Sequence, residues 1–173
     1  MPSVKDIKFL EKASRLAEKS PLSFKLGCVA VLAGKIIESG YNSFKSSSSN
    51  PFIKNACSCH AEMDVLHKCS KKRGFDKFNK ITLYIARINN HNDLRTSKPC
   101  MECLKYINQK NVKKIVYIDE NLNVIIQRPR DCTSPLRSFG YSFIERKMND
   151  YNTTTRFGHN TTTRLCHNTT TRL

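Results

Sequence analysis

Two short stretches carry side chains able to do chemistry. The first, Cys57-Ser58-Cys59-His60-Ala61-Glu62-Met63, packs two cysteines, a histidine and a glutamate together. The second, Pro99-Cys100-Met101-Glu102-Cys103, is a CxxC pair. Alone, a CxxC at a helix start serves as a redox pair, as half of a zinc site, or as two buried cysteines. A lone histidine on a helix is more often surface or core than a ligand. Together the two stretches say more. One imidazole and two thiolates make three zinc ligands and leave the fourth tetrahedral position open, the mark of a catalytic rather than a structural ion. Such an ion brings the pKa of bound water down towards ~7. Glu62 lies two residues beyond His60. From the first turn of a helix its carboxylate reaches the same cavity without ligating, as a proton shuttle must.

These residues are where the chain resembles a known family. His60-Ala61-Glu62 followed by Pro99-Cys100-x-x-Cys103 is similar to the signature of the zinc-dependent cytidine and deoxycytidylate deaminase superfamily. The likeness runs over residues 3–127 and includes the segment ending in Gly40-Tyr41-Asn42. It implies Zn2+ on His60, Cys100 and Cys103, Glu62 as general acid and base, and Asn42 as a substrate contact. An asparagine there also serves simply as a turn residue. It implies a cytidine-deaminase-like, three-layer α/β fold with a mixed five-stranded sheet covered by helices, and a homo-oligomer, dimer or tetramer.

The implied activity is hydrolytic deamination with release of ammonia. The expected substrate is a small cytosine nucleoside or nucleotide. The alternative is a tRNA adenosine deaminase or another RNA-editing deaminase, whose base enters the pocket unstacked. A third reading makes the zinc structural and the basic surface a docking face; Glu62 beside a three-ligand set argues against it. Two antiparallel strands at the end of the sheet resemble free cytidine deaminases, whereas the wording HAEMDVL and KPCMEC resembles the deoxycytidylate and tRNA enzymes. Cys57 and Cys59 are expected to pack beside the site. A second zinc site drawing on Cys57, Cys59 or Cys69 with His67 or His91 is the rival reading. The chain departs from the family in its insertion Asn89–Lys98, where His91, Arg95 and Lys98 either bind a phosphate or are simply solvated.

The elements that must position these residues are legible from periodicity. Val4, Ile7, Leu10, Ala13, Leu16 and Ala17 recur at steps of three and four, so residues 3–19 read as a helix that Ser3 caps and Pro21 follows. Val29–Leu32 reads as a strand, Gly34-Lys35 as a tight turn, and Ile36-Ile37 as the start of the return strand. A loop, SFKSSSSNP, leads towards a helix over residues 60–72. Residues 81–88 form a buried strand by their near-continuous apolar run. A polar loop, a second short helix over 100–110, and two strands joined at Glu120-Asn121 complete the domain. Residues 129–150 show no clear period; a strand over Tyr141–Glu145 or an arm around the sheet is expected.

Composition bounds the function. The 173 residues suffice for one domain, taken as 1–150. Residues 151–173 repeat Asn-Thr-Thr-Thr-Arg from Asn152, Asn160 and Asn168, a low-complexity tail expected to be disordered. No apolar run approaches the ~20 residues a membrane span needs, and no secretion signal is legible. A soluble, cytoplasmic protein is expected, in which eight cysteines mean metal or catalysis rather than disulfides. Thirty basic against 14 acidic residues leave a net charge of +16, which suits an anionic substrate or partner and also fits a lysine-rich compositional bias.

Overall fold

The computed structural model describes residues 1–45, 58–138, 140–142 and 146. The repeat tail, most of the serine-rich loop and Cys57 lie outside the described residues.

The first helix, α1 (Val4–Ala17), starts at a capping box. The Ser3 hydroxyl accepts from the Asp6 amide, and the Asp6 carboxylate accepts from the Ser3 N–H at 2.8 Å. Its buried face, Leu10, Ala13 and Ala17, lies on the sheet. The approach is closest at Gly27 of β1 (Lys25–Leu32), where a Cβ would stand 2.0 Å from the Ala13 carbonyl oxygen. β1 turns into β2 (Lys35–Tyr41) through Ala33 and Gly34, at φ 49° and 76°. Both left-handed residues belong to the turn that matches strand twist. The Leu32↔Lys35 pair therefore sets the turn one residue earlier than the sequence suggests.

After β2 come α2 (Ala61–Lys71), β3 (Thr82–Ile88), β4 (Leu94–Arg95), α3 (Met101–Gln109), β5 (Lys114–Ile118) and β6 (Val124–Gln127). The main sheet order is β2-β1-β3-β5-β6, with β3 and β5 parallel and the other neighbours antiparallel. The five expected strands are present, and β4 adds a sixth against the end of β3. It arises inside the insertion that reads as a polar loop, because two residues are too few to show a period.

Alternation along the strands sends side chains to opposite faces. Cys28, Ala30, Leu83 and Ile85 meet Met63, Leu66, Leu104 and Ile107 of α2 and α3. Val29, Val31, Tyr84 and Val116 meet Leu10 of α1. The result is three layers, helix over sheet over two helices. Because β1 is antiparallel to both β2 and β3, the carboxyl ends of β2, β3 and β5 share one edge. Ligands of α/β sheets bind outside such an edge.

Ser97 holds that edge together. Its hydroxyl donates to the Ile85 carbonyl at 2.7 Å and accepts from the Ile118 amide at 2.9 Å, while its own N–H donates to the Ile118 carbonyl at 2.8 Å. β3 and β5 part there, and the buried serine fills the gap just before Cys100. Among the described residues, no helix is long and apolar enough to cross a membrane.

Candidate active site

His60 and Cys100 are the N-cap residues of α2 and α3. His60 is delivered by an antiparallel bridge between Ser43 and Cys59, whose N–H groups and carbonyls exchange bonds of 3.0 and 2.9 Å. Cys100 follows the Ser97 anchor, and α3 is held from outside by the Met101 N–H donating to the Leu136 carbonyl at 2.9 Å. Two helix starts thus converge at the sheet edge.

There His60 Nδ1 lies 3.2 Å from Cys103 Sγ and 3.4 Å from Cys100 Sγ, and the three donor atoms fall within 4.8 Å of one another. A zinc ion with Zn–S near 2.3 Å and Zn–N near 2.1 Å sets tetrahedral S···N separations of about 3.6 Å. The residues fit that ion. The Cys103 thiol and His60 hold Cys100 down to about 4 against the opposing effect of burial, so it is a thiolate at neutral pH. Burial and the neighbouring Cys100 push Cys103 well up. Two buried sulfurs cannot both ionise side by side without a cation between them; a divalent ion removes that obstacle.

Glu62, the second residue of α2, is 2% exposed, and its Oε2 has no hydrogen-bond partner among the described residues. Burial pushes its carboxyl up, opposed by His60. Buried polar oxygens are almost always paired in folded proteins, so a partnerless carboxylate oxygen beside a ligand cluster marks a place for chemistry. Glu102 holds the equivalent position in α3. Its Oε2 is likewise unpartnered, while Oε1 stands 3.7 Å from Arg137 Nε.

Asn42 directly follows β2 on the same edge, 5% exposed. Its Oδ1 accepts from the Leu26 N–H at 2.8 Å, and its Nδ2 donates to the Phe24 carbonyl. A carboxamide offers two N–H groups and two lone pairs, so one of each stays available. The structure therefore shows Asn42 clamping the start of β1, beside the histidine loop.

The other cysteines stay apart from this group. Cys59 is buried, its Sγ donating to the His60 carbonyl at 3.6 Å, and Cys69 packs in the core. Burial holds them up to about 12 and about 11, so both remain thiols. Among the described residues, His60, Cys100 and Cys103 form the single cluster of three or more ligands able to hold a metal, and neither His67 nor His91 belongs to such a cluster.

Several residues at the site escape sequence reading. Tyr141 stands edge-on to His60, ring centroids 6.0 Å apart, and its hydroxyl meets Met63 Sδ at 3.6 Å. Tyr141 and Ser142 are helical, the Ser142 N–H donating to the Ser138 carbonyl, so the expected strand does not start at Tyr141; residues 143–145 lie outside the described ones. Nothing periodic in residues 129–150 reveals this cover. Arg87, on the site-facing side of β3, was hidden by the apolar run around it.

The fold and site have known counterparts. The model of the cytidine and deoxycytidylate deaminase zinc-binding region matches residues 3–119. No curated protein matches the chain. Among solved structures, cytidine deaminase from Burkholderia pseudomallei is 19% identical, with a TM-score of 0.51 over 72% of this chain and 93% of that one. The dCMP deaminase from cyanophage S-TIM5, in apo form, is 25% identical, with a TM-score of 0.49 over 69% of this chain and 86% of that one. The family model reaches from the capping box of α1 to the end of β5 and so takes in both helix starts of the site. This chain belongs to the cytidine and deoxycytidylate deaminase family of zinc-dependent hydrolases.

Proposed function

We propose that the chain hydrolytically deaminates a cytosine nucleoside or nucleotide, with His60, Cys100 and Cys103 as zinc ligands, Glu62 as general acid and base, and Asn42 as a substrate contact. The observation that carries this reading is the unpartnered Oε2 of Glu62, buried beside the histidine–cysteine cluster. When bound there, zinc supplies a Lewis acid that lowers the pKa of water.

The chain's own residues supply the rest. Glu62 takes a proton from the attacking water at Oε2 and passes it to the ring nitrogen. The C–O bond forms at the ring carbon as this happens; Glu62 then takes the second proton from the new hydroxyl and gives it to the exocyclic amine, so that the carbonyl forms, the C–N bond breaks, and ammonia leaves. Burial keeps bulk water from competing for that proton and strengthens every charge interaction inside. Asn42 uses its spare N–H and lone pair on the sugar, while its other two bonds hold its carboxamide rigid. Tyr141 and Met63 wall the imidazole side. The antiparallel pairing of β5 and β6 supports the cytosine reading. A homo-oligomer, dimer or tetramer, is the expected assembly; light scattering showing a monomer alone would contradict it.

The test is ammonia release by zinc-quantified protein against cytidine, deoxycytidine, their monophosphates, adenosine and bulk tRNA. Turnover of a cytosine compound that disappears in Glu62→Gln supports the proposal. Turnover of tRNA alone would replace it with RNA editing.

A further inference from the structure

The insertion that separates this chain from its family signature builds something at the site edge. β4 pairs with the end of β3 so that Arg87 and Arg95 face each other directly. Residues opposite each other in a ladder have Cβ atoms ~5 Å apart and point to the same side, and like charges so placed repel. Among the described residues, the carboxylate paired with Arg95 is that of Asp93, 3.8 Å from its Nη2, with both side chains largely exposed. Arg87 has no acidic partner among the described residues, and its buried Nε makes no hydrogen bond. Burial and the facing Arg95 both pull its guanidinium down from the usual value, yet arginine stays charged in proteins.

The pair lies on the chemically active side. Alternation along β3 puts Arg87 with Leu83 and Ile85, on the face covered by α2 and α3. It pairs with Leu26 of β1, whose amide and carbonyl bond Asn42. Asn42, Leu26, Arg87 and Arg95 thus form one row across the sheet edge. Arg87 is held in place by Phe24, whose ring centroid is 4.7 Å from its Cζ and whose carbonyl accepts from Asn42. Two strand spacings, about 10 Å, separate Asn42 from Arg87. A 5′-phosphate arm and an arginine side chain together bridge that span.

We propose that Arg87 and Arg95 form the binding site for the terminal phosphate of a nucleoside monophosphate, so that the substrate is a nucleotide rather than a nucleoside. The inference rests on the deaminase reading for the position of the base but makes its own prediction about charge. A terminal monophosphate is close to a dianion at neutral pH and balances two guanidinium groups, whereas a phosphodiester carries a single charge. Bidentate arginine forks suit its oxygens.

The test is calorimetric titration of zinc-loaded Glu62→Gln protein, in which no turnover interferes. Probes are dCMP, deoxycytidine, AMP, adenosine and a short RNA without terminal phosphates. A monophosphate should bind at least about tenfold more tightly than its nucleoside, and Arg87→Gln and Arg95→Gln should each remove about tenfold of that preference. Arg95 is exposed, so its variant tests the site without disturbing the core. Arg130→Gln, which removes one exposed cation beyond the far end of α3, should leave the ratio unchanged and so controls for net charge. Equal affinities, a preference that survives both substitutions, or arginine-dependent binding of RNA alone would overturn the proposal. An arginine-dependent preference for AMP over adenosine, with no binding of cytosine compounds, would uphold the phosphate site and refute the cytosine reading instead.

Discussion

His60 and Cys100 occupy the same position, the N-cap, in two neighbouring helices, and this places an imidazole nitrogen 3.4 Å from a sulfur. Each helix then presents a glutamate at its second residue, Glu62 and Glu102, and each carboxylate leaves one buried oxygen unpartnered. The parallel stops there. Glu102 has Arg137 at 3.7 Å, whereas Glu62 makes no ion pair with a lysine or arginine among the described residues and has the histidine as its cationic neighbour. That difference separates a carboxylate available for proton transfer from one tied to the covering segment.

Glu62→Gln should lower kcat by about 10²–10⁴-fold or more, the usual range for a positioned acid–base group. Zinc content measured by atomic absorption should stay at the wild-type value. Loss of the metal along with activity would mean that Glu62 ligates or organises the cluster instead.

Cys100→Ser should do the opposite, losing zinc first. A thiolate held down to about 4 is a standing ligand charge, and a serine hydroxyl does not ionise in its place. Zinc stoichiometry should fall towards zero and the thermal midpoint should drop, as it should in wild-type protein treated with a chelator. An unchanged midpoint after metal removal would show that the ion contributes nothing to stability.

Ser97→Ala should destabilise by about 1–3 kcal/mol, because the Ile118 amide loses a buried acceptor. Activity should fall more than an equally destabilising core change elsewhere, since Ser97 anchors the segment leading to Cys100. Comparing it with Ile107→Val at matched stability separates the two effects.

The Asp6 carboxylate ties the start of α1 to β3, accepting from Ser3 and, at 2.7 Å, from the Tyr84 hydroxyl. Partial burial raises its pKa, but the Ser3 and Tyr84 hydrogen bonds outweigh this, and the net shift is downward. A carboxylate with a depressed folded pKa stabilises above its unfolded value, near 4, and that contribution is lost as pH falls through the lower folded value. Asp6→Asn should therefore reduce stability at neutral pH and flatten its loss below about pH 4, read from urea midpoints between pH 2 and 7. An unaltered acid limb would remove Asp6 from the account.

Gly27→Ala should cost about 3 kcal/mol or more, because the added methyl meets backbone atoms of α1 that no rotamer change can move. Gly34→Ala, with φ at 76° and nothing within 4 Å, should cost only about 1 kcal/mol. Similar losses at both positions would mean that α1 shifts freely on the sheet.

Local periodicity made the three helices and five main strands readable, with ends off by one or two residues except at β1, which starts four residues before the expected Val29. Apolar steps of three and four named α1, and a continuous apolar run named β3, since each element answers mainly to its own spacing. β4 escaped because two residues carry no period, and the helical turn at Tyr141 because its segment shows none. The cluster of His60, Cys100 and Cys103 was legible from ligand chemistry together with the resemblance to the deaminase signature: few residue types bind zinc, and both stretches open helices.

Tertiary structure decided what the side chains meet. It set Asn42 as a clamp on Leu26 and Phe24, left Cys59 and Cys69 as core thiols, and brought Arg87 opposite Arg95. These relations join positions up to 78 residues apart, as Tyr141 and Met63 are. A sequence encodes its period in neighbours, but strand register and helix docking follow from the complementarity of whole buried faces, which exists only once the chain has closed.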